Sequence, residues 1–109
     1  MIVAFSVAPS GGSASDSVHD AVAAAVRVVR DSGLPHRTSS MFTEIEGEWD
    51  EVFAVVKRAT DAVSAYGSRV SLVLKADIRP GRVGELDGKV QRLERALRDQ
   101  SLRDRASTD

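Results

Sequence analysis

The chain has 109 residues, 42% of them apolar and 28% charged, the balance of a single folded domain with one core, which excludes a disordered or fibrous chain. Fifteen basic against sixteen acidic residues leave a formal net charge of −1, so no long-range field draws in nucleic acid or an anionic membrane, and neither is an expected partner. With no cysteine there is no disulfide framework, thiolate metal site or cysteine nucleophile.

Ile2 to Val7 is a short apolar run of β-favouring residues that stops at Pro9-Ser10-Gly11-Gly12 and reads as a first strand. Its start lacks the basic residues and long apolar run of a signal peptide, and no later stretch approaches ~20 consecutive apolar residues, so the cytoplasm is the expected location. Val18, Val22, Ala25 and Val29 recur at three- and four-residue steps, with Ser15 or Asp16 as a cap and Gly33 as a stop, predicting a helix to about Ser32. Two short stretches, 35–40 and 42–46, predict a hairpin.

After Gly47, the residues Val52, Phe53, Val56, Ala59 and Val63 mark one face of a second helix, and Glu48, Asp50 and Glu51 put negative charge at the positive end of its dipole. The stretch 69–78 alternates as the longest strand, with Val70, Leu72, Leu74 and Ala76 on one side and Ser71, Val73, Lys75 and Asp77 on the other. Pro80-Gly81 ends it, and Val90, Leu93 and Leu97 predict a third helix among Arg, Glu and Asp. Residues 1–102 are expected to form one domain, and 103–109 a polar, frayed tail.

The order strand, helix, strand, strand, helix, strand, plus an appended helix, predicts an α+β fold: a ferredoxin-like βαββαβ sandwich with an additional C-terminal helix. Both main helices then cover one sheet face, where Val3, Phe5, Val7, Val70, Leu72 and Leu74 meet Val22, Val29, Val52, Val56 and Val63. The reverse face carries Ile2, Ala4, Ser6, Val73 and Lys75, with Phe42 from the hairpin. That surface is too apolar for bare solvent and too polar for a dry core, so it is expected to be shared with another copy, giving a homodimer or homotetramer, or to line a ligand site.

The run Met41-Phe42-Thr43-Glu44-Ile45-Glu46-Gly47-Glu48-Trp49-Asp50-Glu51-Val52, with Ser6-Val7-Ala8-Pro9 before it and Leu74-Lys75-Ala76-Asp77-Ile78-Arg79 after it, resembles the thiamine-binding protein family over roughly residues 2 to 98. The resemblance implies a ferredoxin-like subunit that pairs through its sheets into dimers and then a tetramer. It also implies binding of thiamine or hydroxymethylpyrimidine as a ligand without turnover, by a carrier or sensor that is not an enzyme and holds no other cofactor. Ser40 and Phe42 stand where many relatives have Pro and Gly, and Phe42 can either stack on a ligand or fill the pocket.

An aminopyrimidine is flat, with an amino donor beside ring acceptors, and calls for an aromatic or sulfur-bearing wall and a carboxylate or hydroxyl in the ring plane. Met41, Phe42, Thr43 and Glu46 offer that set; regular alternation points Phe42 and Glu46 to the reverse face and Thr43 and Ile45 to the helices. Trp49 either covers a ligand ring or anchors packing, and Ser6 either donates to a ligand or is a small interface residue. Lys75 and Asp77 either meet a charged ligand or form an intersubunit ion pair. Ser10-Gly11-Gly12-Ser13 lacks the spacing and lysine of a nucleotide loop, and His19 and His36 have no metal-site spacing.

Two other readings remain. A structural or regulatory oligomer would need no small molecule. A small phosphatase-type enzyme would need an asparagine and an arginine around a phosphate, and the chain has no asparagine.

Overall fold

In the computed structural model, residues 1–11 and 16–107 are described, in the order β1 (Ile2–Ser10), α1 (Asp16–Asp31), β2 (His36–Thr38), β3 (Thr43–Glu46), α2 (Trp49–Ser64), β4 (Arg69–Asp77) and α3 (Glu85–Ser107). The expected cap at Ser15 and the Gly12-Ser13 part of the loop lie outside the described residues. The four strands form one antiparallel sheet in the order β2-β3-β1-β4, so the fold is ferredoxin-like, as predicted.

Strand alternation builds the core. Val3 lies between Ile45 and Ala76, and Phe5 between Thr43 and Leu74, so these side chains share the face covered by the helices. Val3, Ile45, Val29, Val52 and Val63 are fully buried there. Helix α2 starts as its sequence suggests: the Glu48 N–H donates to the Glu51 carboxylate at 3.2 Å, and Val52, Val55, Val56, Ala59 and Val63 form its buried stripe. At the turn into β4, Gly67 is required by close approach, because a Cβ there would stand 2.5 Å from the Ser10 carbonyl oxygen.

Three expectations are corrected. Helix α1 seats Ala21, Ala25 and Val29 in the core, and Val22 is 42% exposed because the stripe is rotated about one residue from the predicted one. Leu72 is likewise 43% exposed although its partner Val7 is buried, since it lies on β4, the edge strand of the sheet. The segment from Arg103, expected as a frayed tail, continues helix α3 to Ser107, with no Gly or Pro after Gly88 in its first turn and the Arg103 Nε–H donating to the Asp99 carbonyl at 3.4 Å.

Candidate functional site

Strand β3 is only four residues long and pairs with Ile2–Phe5, whereas β4 runs beside β1 from Ile2 to Ser10. From Ser6 to Ala8, therefore, β1 has a strand neighbour on one side only. Into the space left on the other side comes the loop Ser39–Phe42. Ser39 pins it: its N–H donates to the Phe42 carbonyl at 2.9 Å, and its hydroxyl accepts from the Phe42 N–H at 3.3 Å. Helix α1 closes the third side with Val22, Ala25 and Val26.

The result is a cleft of about 170 Å³ lined by Phe5, Ser6, Val7, Ala8, Val22, Ala25, Val26 and the run Thr38–Thr43. Its walls offer an aromatic ring (Phe42), a thioether (Met41) and the hydroxyl residues Thr38, Ser39, Ser40 and Thr43, while Ser6, whose side chain alternates to the reverse face, borders it through its main chain. None of these lining residues carries a charge. Thr43 is buried, Phe42 is 36% exposed and Met41 is 72% exposed, so one edge of the cleft is firm and the other is open to an incoming molecule.

Of the residues singled out from the sequence, Ser6, Met41, Phe42 and Thr43 meet in this cleft, while Glu46, Trp49, Lys75 and Asp77 stand elsewhere. Glu46 is buried on the reverse face, where its carboxylate accepts from the Glu85 N–H at 2.7 Å and the Leu86 N–H at 3.2 Å; it holds the start of α3. Trp49 stacks on Phe53 one turn later, with centroids 5.2 Å apart and the ring half-exposed. Lys75 and Asp77 lie beneath α3, around a second hollow of about 250 Å³ that includes Ile2, Ala4, Glu44, Lys89 and Val90.

The charges around that second hollow are largely spoken for. Lys89 Nζ lies 2.6 Å from the Asp77 carboxylate, and its hydrogen bond and charge hold that carboxyl below the ordinary aspartate range. Glu85 is likewise held low by hydrogen bonding to Arg92, with the charges of Arg92, Arg82 and Arg79 adding to it. Among the described residues no cluster of His, Asp and Glu is arranged to hold a metal, and His36 Nδ1 lies 2.9 Å from the Leu34 carbonyl oxygen.

Sequence reasoning missed Val22, Val26 and the hydroxyl run Thr38-Ser39-Ser40 as cleft residues. The signal was present: α1 has more apolar positions than one core stripe requires, and three hydroxyl residues precede Met41-Phe42.

Comparison with known proteins agrees with this geometry at the level of family and fold. A family model described as thiamine-binding protein matches residues 3–94. A UPF0045 protein of Mycobacterium bovis is 52% identical over 98 residues, spanning 89% of this chain and 94% of that protein. A crystal structure of a hypothetical protein from Methanocaldococcus jannascii superposes with a TM-score of 0.75 at 29% identity, covering 85% of this chain and 94% of that one. A Thermotoga maritima protein, described as a candidate for thiamine biosynthesis or salvage, superposes with a TM-score of 0.72 at 22% identity, covering 84% and 96% of the two chains, and shows the shared fold. No helix among the described residues is long and apolar enough to cross a membrane.

Proposed function

Since the chain belongs to the thiamine-binding protein family, we propose that it binds thiamine, or the hydroxymethylpyrimidine part of it, in the cleft between β1, α1 and the Ser39–Phe42 loop, without turning the ligand over. The observation that carries this reading is a small cleft whose described lining residues carry no charge and offer a ring, a thioether and four hydroxyls, with a strand edge in its side. A flat aminopyrimidine suits each element. Its faces take Phe42 and Met41, and its amino donor and ring nitrogen acceptor match the N–H and C=O groups on the side of a strand that has no neighbouring strand, as at Ser6–Ala8.

The lack of charge sets a preference within the thiamine group. A diphosphate calls for Arg, Lys or a helix N-terminus, and a thiazolium cation gains from a carboxylate; the lining residues supply none of these side chains. The pyrimidine is therefore the part read, with the remainder of a larger ligand left at the open, Met41 side. A carrier or sensor of this kind works in the cytoplasm as a homo-oligomer, assembled through the reverse face of the sheet, where Val73 is 56% exposed.

Calorimetric titration with hydroxymethylpyrimidine, thiamine and thiamine diphosphate in parallel tests the reading. Saturable binding of the first two is expected, with no gain from the diphosphate. Phe42→Ala should weaken binding about tenfold, the loss of one stacking contact worth about 0.5–1.5 kcal/mol with its buried area. Binding of the diphosphate alone, or affinity untouched by Phe42→Ala, contradicts this site.

A further inference from the structure

Helix α3 is long but lightly attached. Its 23 residues make a rod about 34 Å long, and from Gln91 to Ala106 every residue is exposed. The seat is confined to the first turns. Among the described residues of α3, Leu86 is the only hydrophobic one that is buried. The rest of the attachment is polar: the Glu46 carboxylate accepts from the Glu85 and Leu86 N–H groups at 2.7 and 3.2 Å, Arg37 pairs with Asp87 at 2.5 Å, and Lys89 pairs with Asp77 at 2.6 Å. Residues 78–84, which lead into the helix, are all exposed. A seat this small is within reach of the free energy that a bound ligand can supply.

Two of these attachments come from the hairpin that also builds the cleft. Strands β2 and β3 pair Thr38 with Thr43, Arg37 with Glu44 and His36 with Ile45. Opposed residues share a face and successive ones alternate. Thr38 and Thr43 therefore turn to the helix-covered side and the cleft, whereas Arg37 and Glu46 turn to the reverse side and α3. Arg37 is next to Thr38 in the chain, and Glu46 stands three residues, about 10 Å, along β3 from Thr43. Hydrogen bonds close the hairpin at both ends. The Ser39 N–H donates to the Phe42 carbonyl at 2.9 Å beside the cleft, and the Glu46 N–H donates to the Pro35 carbonyl at 2.9 Å beside α3. A shift at one end of so short a ladder is carried to the other.

We propose that this hairpin couples the cleft to α3, so that a pyrimidine held in the cleft tightens the seat of α3 and the projecting helix reports the ligand. The coupling rests on the ligand reading above and gives the bound state an output. A ring clamped by Phe42 and Met41 restricts the Ser39–Phe42 loop, which is the exposed end of the hairpin. A restricted hairpin presents Glu46 and Arg37 to the first turn of α3 for a larger share of the time. Glu46 carries most of the effect, because it is buried and its charge strengthens both of its hydrogen bonds. The Arg37–Asp87 pair carries less, since both side chains are at least half exposed. Such coupling is reciprocal: the factor by which the ligand favours seating is the factor by which seating favours the ligand.

Residue-resolved amide exchange, followed by NMR with and without hydroxymethylpyrimidine, tests the coupling, with binding itself measured by calorimetry. At saturation, exchange at the Glu85 and Leu86 amides should slow about fivefold, the low end of usual coupling, beyond any slowing shared with the core amides of Val3 and Val52. By reciprocity, Glu46→Gln should weaken ligand binding by about the same factor, although Glu46 does not line the cleft. Asp87→Asn, at an exposed position where folding is not at stake, should weaken it about twofold. If hydroxymethylpyrimidine does not bind, the ligand reading falls and the coupling with it. If it binds but slows exchange at Glu85 and Leu86 no more than at Val3 and Val52, the stabilisation is global mass action and the coupling alone is overturned. The same holds if both variants bind the ligand as the wild type does.

Discussion

At the scale of single residues, Phe42 and Asp77 show how little the type of a side chain says about its task. Phe42 sits at the rim of the cleft because Ser39 takes both of its main-chain groups in hand, whereas Asp77, an equally plausible ligand contact on paper, is paired with Lys89 at 2.6 Å. The ion pair makes a prediction about pH. The folded-state pKa of Asp77 lies below its unfolded value, so the pair's contribution is complete above the ordinary aspartate range and is lost as pH falls through the depressed folded value. It does not vary near neutrality. Following the Asp77 carboxyl by NMR during an acid titration should show this low midpoint, and Lys89→Met should return it toward the ordinary range; an unchanged midpoint would mean that the pair does not persist in solution. The exposure of both partners keeps the pair's effect on overall stability small.

At the scale of elements, β3 carries more than its four residues suggest. Thr43 at its start lines the cleft, Ile45 fills the core, and Glu46 at its end holds α3. The Glu46 carboxylate accepts from two N–H groups of the first turn of α3, a cap supplied from a neighbouring strand instead of from the residues before the helix. Glu46→Gln keeps the shape, removes the charge facing the helix dipole and leaves one oxygen where there were two. A loss of about 1–2 kcal/mol is expected, read as a lower midpoint in urea and faster hydrogen exchange at the Glu85 and Leu86 amides. Full protection of those amides in the variant would show that the cap is dispensable. Periodicity located α1, α2 and β4 closely, since long elements repeat their pattern several times. It was poor at the rotation of α1, because an Ala-rich helix can turn either of two stripes inward and only the packing partner selects one.

At the scale of the whole molecule, the long axis of 62 Å against a short axis of 19 Å belongs to a compact βαββαβ body with a protruding rod. If copies of the chain associate through the reverse face of the sheet, as proposed above, folding and association are linked. Thermal midpoints should then rise with protein concentration; a flat dependence would separate stability from assembly. The fold, the family and the chain's one core were all legible from the residues alone, because alternation and helical spacing are local patterns and the Ile45–Val52 run is a specific one. Four of the eight singled-out site residues gather in one cleft, and Glu46, Trp49, Lys75 and Asp77 are placed elsewhere, for a reason no one-dimensional pattern contains. Where β3 stops pairing, which stripe of α1 faces inward, and how far α3 runs beyond its sheet all depend on contacts between residues distant along the chain, and those contacts exist only once the sheet has closed.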